Sequence, residues 1–129
     1  MTSNLDTKIN IAHAEISIDS DGIVQAQAVD YNYSLDDIKV IHDTAIKLSG
    51  NTKTLLLLIS TPFTQIDDDA RHFLSSPVAG KNFIAKAYVI TSLAQRIILN
   101  FVFRVKGTTV PSKFFTDKNE AIAWLKSHV

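Results

Sequence analysis

The chain has 129 residues, 46% of them hydrophobic and 20% charged, with 13 basic residues balanced by 13 acidic ones. That length fits one domain spanning residues 1–129, able to bury about two thirds of its unfolded surface, and the near-zero net charge removes the usual electrostatic reason to expect nucleic-acid or anionic-membrane binding. With no cysteine in the chain, disulfides, thiolate nucleophiles and thiolate metal sites are excluded. The opening stretch MTSNLDTKIN has neither a basic n-region nor an apolar h-region, and no segment approaches the ~18 apolar residues needed to span a bilayer. A cytoplasmic location without membrane insertion is therefore expected, with residues 1–8 as a flexible N-terminus.

In chain order, INIAHAEISI (Ile9 to Ile18) alternates apolar and polar residues, with a change of phase near Ala12 and His13 that predicts a bulge or bend within one strand. DSDG (Asp19 to Gly22) reads as a tight turn, and IVQAQAV (Ile23 to Val29) alternates again, so the two strands form a hairpin. Ser34 is the expected N-cap of a helix in which Ile38, Ile41, Ala45 and Leu48 recur at helical spacing, and Gly50 is its stop. TLLLLIS is short, uninterrupted and apolar, the mark of a strand covered on both faces and hence the centre of the fold. IDDDARHFLSS predicts a short helix with Asp67, Asp68 and Asp69 in its first turn, ending before Pro77. AKAYVIT (Ala85 to Thr91) is a second buried strand, SLAQRIILNFVFRVK a helix capped by Ser92, and SKFF a last short strand. Asp117 with Glu120, or Thr116 just before, caps the final helix NEAIAWLKSHV, whose Ala121, Ile122, Trp124 and Leu125 can pack on the sheet. The expectation is an α/β domain in the order ββαβαβαβα, with about five strands in a mixed sheet and about four helices.

The helix QRIILNFVFRV has too much apolar surface. At about 100° per residue, Arg96, Asn100 and Arg104 share a stripe of about 80°, while Ile97, Ile98, Leu99, Phe101, Val102, Phe103 and Val105 fill an arc of about 240°. Covering a sheet needs little more than about 100°. The surplus calls for cover by neighbouring helices, with the Trp124 helix on one shoulder, for a homodimer through Leu99 and Phe103 or through Ile97 and Phe101, or for an apolar ligand. Arg96 and Arg104 are the side chains expected to meet an anionic partner or headgroup.

Catalytic and metal signatures are missing. His13, His42, His72 and His128 lie on different predicted elements without H-x-x-x-H or H-x-H spacing, and each is expected to be a surface or boundary histidine. Neither G-x-S-x-G nor the glycine-rich phosphate loops occur. Adjacent aspartates on one helical turn diverge by about 100°, so Asp67, Asp68 and Asp69 read as a solvated first turn and not as a chelating set. No metal, cofactor or enzymatic activity is expected.

An aromatic-rich strand followed by a Thr/Asp cap and EAIAWL, together with LLLLIS before an acidic helix start and ARHFL, resembles the SpoIIAA-like, STAS-type proteins, and within them a bacterial branch described as STAS/SEC14-like. The resemblance runs from the first hairpin to the last helix. It implies a small mixed sheet packed with helices and a regulatory or ligand-sensing role without catalysis. In the family's anti-sigma-factor antagonists a D-S-S-G motif carries a phosphorylated serine; the matching stretch here is DDDA, which places Asp69 at the serine and Ala70 at the glycine. The phosphorylation switch does not carry over. By resemblance, the partner-facing surface comprises Ser60, Thr61, Thr64, Asp67, Asp68 and Asp69, with fixed carboxylate charge beside the helix N-terminus. The lipid-transfer half of the family description fits the alternative in which Arg96, Ile97, Leu99, Phe101 and Phe103 face a lipid or other small apolar ligand. The expected function is that of a cytoplasmic protein-interaction module, a homodimer with a further protein partner.

Overall fold

A computed structural model describes residues 8–29, 32–61, 64–106 and 110–129. Six strands form one mixed sheet in the spatial order β1-β2-β3-β5-β7-β8. β1 (Lys8–Ile11), β2 (Ala14–Ile18) and β3 (Ile23–Ala28) are antiparallel neighbours, whereas β3, β5 (Thr54–Ile59), β7 (Phe83–Val89) and β8 (Ser112–Phe115) run parallel. The mixed α/β class is as expected, with one more strand in the main sheet than anticipated. Residues 1–7 of the expected flexible N-terminus lie outside the described residues, and Lys8 already belongs to β1.

The phase change at Ala12 and His13 is a chain reversal and not a bulge. β1 pairs with β2 through Ile9↔Ile16 and Ile11↔Ala14, so a two-residue turn places odd-numbered side chains of β1 opposite even-numbered ones of β2. Directly opposed residues share a face, and the switch in parity keeps the apolar side continuous. The DSDG turn forms as expected: the Asp19 carboxylate accepts from the backbone N–H groups of Asp21 and Ile23, at 2.9 and 3.0 Å, and Gly22 supplies φ +80°.

Helix α1 (Leu35–Leu48) begins with a reciprocal capping box in which the Asp37 N–H donates to Ser34 Oγ and the Ser34 N–H to Asp37 Oδ2. Its chain end turns through Gly50 and Asn51, both at positive φ. Ser34→Ala is expected to lower stability by about 1 kcal/mol, readable as a smaller urea midpoint at unchanged slope; an unchanged midpoint would show that the Asp37 half of the box suffices.

Three elements are too short to carry a periodic signal. β4 (Asn32–Tyr33) and β6 (Gln65–Ile66) form a two-residue parallel pair, and α3 (Pro77–Gly80) is a single turn capped by Ser76. Helices α2 (Asp68–Leu74) and α4 (Leu93–Lys106) join α1 on one face of the sheet, while α5 (Lys118–Lys126) covers the other. The double cover explains the LLLLI run. Leu56 faces the α1 side, and Leu55 and Leu57 face α5 with Ala121 and Leu125. At the C-terminus, Asp117 accepts from the Glu120 N–H at 2.9 Å, and Trp124 meets Phe115 at 5.8 Å between ring centroids. Among the described residues, no helix is long and apolar enough to cross a membrane.

Candidate functional site

The surface after β5 is held by its own hydroxyls. Ser60 Oγ donates to the Val89 carbonyl, while Thr61 and Thr64 share a hydroxyl–hydroxyl bond of 2.8 Å, and Thr64 Oγ1 also accepts from the Thr61 N–H. Thr64 is buried, so these side chains do turn duty here. Asp67 caps α2 without a side-chain bond, Asp68 pairs with Arg71, and Asp69 is exposed. Asp68 and Asp69 edge an open groove shared with Leu35, Lys39 and His72. No set of three metal-ligating side chains forms among the described residues.

Helix α4 divides its apolar arc between inside and outside. Leu99 and Phe103 are buried, at 0% and 8% exposure, and Phe103 stacks against Tyr88 and Phe114 at 5.4 and 5.2 Å. The expectation that Leu99 and Phe103 form a dimer face is therefore corrected: half a helical turn separates them from Leu93, Ile97 and Phe101, which are 62%, 60% and 67% exposed. Nor does the Trp124 helix cover a shoulder of α4, because α5 lies across the sheet. Ile98 adds to the outward stripe, and Arg96 and Arg104 edge it. Among the described residues neither arginine makes an ion pair.

Beneath α1 and α4 lies a cavity of about 60 Å³. Its sheet wall includes Ala14, Ala26 and Ala28, whose small side chains leave the space, beside Leu58 and Tyr88; Ile38 and His42 of α1 and Leu99 of α4 face it, and it is partly open to the surface. Leu99 thus lines an apolar, partly open pocket. Tyr88 is 3% exposed, and among the described residues its hydroxyl has no hydrogen-bond partner. Burial raises its pKa, so it remains a neutral donor.

His42 of this wall is in turn backed by Lys86, which is buried. Lys86 Nζ lies 3.2 Å from His42 Nε2 and donates to the Leu74 carbonyl at 3.2 Å, at the C-terminal end of α2. Burial lowers the Lys86 pKa to about 7. Burial, and then the neighbouring Lys86 charge, hold His42 well below its ordinary value, while the Ile38 carbonyl works weakly the other way. The expectation of a surface or boundary histidine fails for His42, which occupies the inward stripe of α1 beside Ile38, Ile41 and Ala45. It holds for His13, which pairs with Asp37 at 3.1 Å, for exposed His72, and for His128, which packs on Trp124. Lys86 was not anticipated, although a lone cation inside FIAKAYVI was the signal that marked it.

Comparison with known proteins follows the architecture. No curated protein matches the chain. A solved structure from Shewanella loihica PV-4, an uncharacterised protein of the DUF3478 family with a SpoIIAA-like fold, superposes with a TM-score of 0.56 at 20% identity, over 97% of this chain and 98% of that one. The fold is thereby SpoIIAA-like, as the tail and strand motifs implied. The family model described as "Domain of unknown function (DUF7793)" matches residues 16–129, and the chain belongs to that family.

Proposed function

We propose that the protein is a non-catalytic interaction module that self-associates through α4. The observation that carries this reading is the outward stripe Leu93, Ile97 and Phe101, spaced four residues apart and extended by Ile98, with Arg104 at its C-terminal end. An uncovered patch of this kind is uncommon on a monomer. Interface cores are depleted in charge and rimmed by polar groups, which is how Arg96 and Arg104 are placed here. A second copy is the simplest cover, since an isologous contact matches the stripe to itself while the arginines stay at its wet edge.

Phe101→Glu is expected to convert a dimer into a folded monomer, measured by light scattering together with a far-ultraviolet spectrum. Phe103 is unsuitable for this test, because a glutamate there would bury a charge and unfold the domain. A wild-type monomer at tens of micromolar would overturn self-association.

The cavity favours a second reading, binding of a small apolar ligand. Its lining is almost wholly hydrocarbon, from Ala26, Ala28, Ile38, Leu58 and Leu99, with His42, Ser60 and Thr64 among the residues around it. Convergence of an apolar space with a few polar atoms is the usual form of a ligand site.

A further inference from the structure

The zero net charge of the chain is a sum over two unlike halves of one helical layer. α1 packs over β2 and β3 and carries Asp36, Asp37 and Asp43, while the N-cap and first turn of α2 hold Asp67, Asp68 and Asp69. α4 sits at the other end of the layer, where its Phe103 meets Tyr88 of β7 and Phe114 of β8. It has no acid, and none occurs anywhere from Ala70 to Thr116. The uncovered stripe therefore lies where the molecule is locally cationic. At about 100° per residue, Leu93 and Phe101 project about 40° to either side of Ile97, and Ile98 about 100° to one side. Arg104 falls within about 20° of the Ile97 direction, three residues beyond Phe101, and Arg96 lies about 100° away on the flank opposite Ile98. Among the described residues neither arginine makes an ion pair, and the Arg96 Nε is buried without a hydrogen-bond partner. A second copy covers the apolar side chains but brings no carboxylate to these arginines, because its own α4 has none.

We infer that this face of α4 docks on the surface of an anionic phospholipid bilayer, with Leu93, Ile97, Ile98 and Phe101 entering the boundary between head groups and acyl chains and with Arg96 and Arg104 on lipid phosphates. This goes beyond self-association but rests on the same uncovered stripe, which a second copy occupies in solution and the bilayer occupies at a membrane. An apolar helix face flanked by basic side chains and free of acid is the form that lies in the plane of a membrane surface. Arginine suits that boundary, since its aliphatic stem follows the apolar side chains inward while the guanidinium stays level with the phosphates and can bind two oxygens at once. At 14 residues α4 is about 21 Å long, short of the ~30 Å hydrocarbon core, so the contact is a surface docking and not a span. The acids of α1 and α2 fix the approach: an anionic surface repels their end of the layer, so the α4 end leads.

The experiment is flotation of the whole protein with vesicles of phosphatidylcholine alone and of phosphatidylcholine mixed with phosphatidylglycerol, at low and at high salt. The wild type is expected to bind the anionic vesicles about tenfold more tightly than the neutral ones, a preference that added salt removes. Arg96→Gln combined with Arg104→Gln is expected to lose that preference while keeping the wild-type far-ultraviolet spectrum and the wild-type mass in light scattering, because both arginines lie at the edge of the self-contact. Phe101→Glu is expected to leave both kinds of vesicle. A folded wild type that stays in the aqueous fraction at either salt would overturn membrane docking and leave self-association standing. Equal binding to neutral and anionic vesicles would overturn the phosphate assignment, and undiminished binding of Phe101→Glu would overturn α4 as the docking face. A wild type that is monomeric in solution yet floats with the anionic vesicles would remove self-association and keep the docking.

Discussion

Lys86→Met is expected to stabilise the protein at pH 7 by about 1–3 kcal/mol. The folded lysine titrates at about 7, whereas its ordinary value is 10.5, and each unit of that difference is worth about 1.4 kcal/mol. At pH 7 the unfolded chain binds the proton far better than the native one, a penalty of roughly 4 kcal/mol. Methionine fills the same linear space without charge. Against this gain, the Leu74 carbonyl and His42 Nε2 lose a partner, which costs about 1–3 kcal/mol. The sign with pH follows from the same shift. Between pH 7 and 10.5 the unfolded state holds the additional proton, so wild-type stability rises with pH across this window, by up to about 1.4 kcal/mol per unit. The variant should lack that slope. Chemical denaturation of both proteins at pH 7, 8 and 9 would show the gap closing as pH rises; parallel profiles, or a less stable variant at every pH, would mean that Lys86 is better solvated than its burial implies. A residue that destabilises its own fold is expected where function has set the choice.

Leu125→Ala is expected to cost about 3 kcal/mol and to lower Tm by about 10 °C. Leu125 is fully buried in the smaller cluster with Ile23, Leu55, Leu57, Ala85 and Val89. On that face α5 provides the helical cover, and at nine residues it is too short to persist as a helix without packing. Losing the leucine therefore removes burial and weakens the helix that supplies it. Amide exchange should accelerate through α5 before it does so in α1. A fall of less than about 1 kcal/mol with α5 still protected would show that Ala121 and Trp124 hold the helix without it.

The elements most legible in the sequence were those where a local rule and the final packing agree. Ser34 and Asp37, the DSDG turn, Asp117 with Glu120, and the uninterrupted LLLLI run each have one low-energy solution, and each forms it. The break at Ala12 and His13 has two, since a bulge and a reversal both change the parity of the apolar face, and the choice depends on a partner strand. α4 was ambiguous for a related reason: with an apolar arc of about 240°, the helix itself does not say which side is the inside. The sheet decides, and it selects Leu99 and Phe103. The cavity was least legible. Ala14, Ala26 and Ala28 come from two strands, His42 from a helix and Tyr88 from a third strand, so no local window contains the site. Lys86 within a buried strand was the available clue.

Because α5 is made after every strand it covers, Leu55, Leu57, Ala85, Ala87 and Val89 emerge from the ribosome without their helix. The α1 side of the sheet can assemble earlier, since α1, α2 and α4 all precede or immediately follow the strands they pack on. A nascent chain therefore passes through a half-clad state, one side sheltered and the other a bare apolar sheet, until residues 118–126 are released. Such a surface is a target for chaperones and for other unfinished chains. Truncation before Lys118 should consequently yield aggregation, and an α5 peptide supplied separately should suppress it.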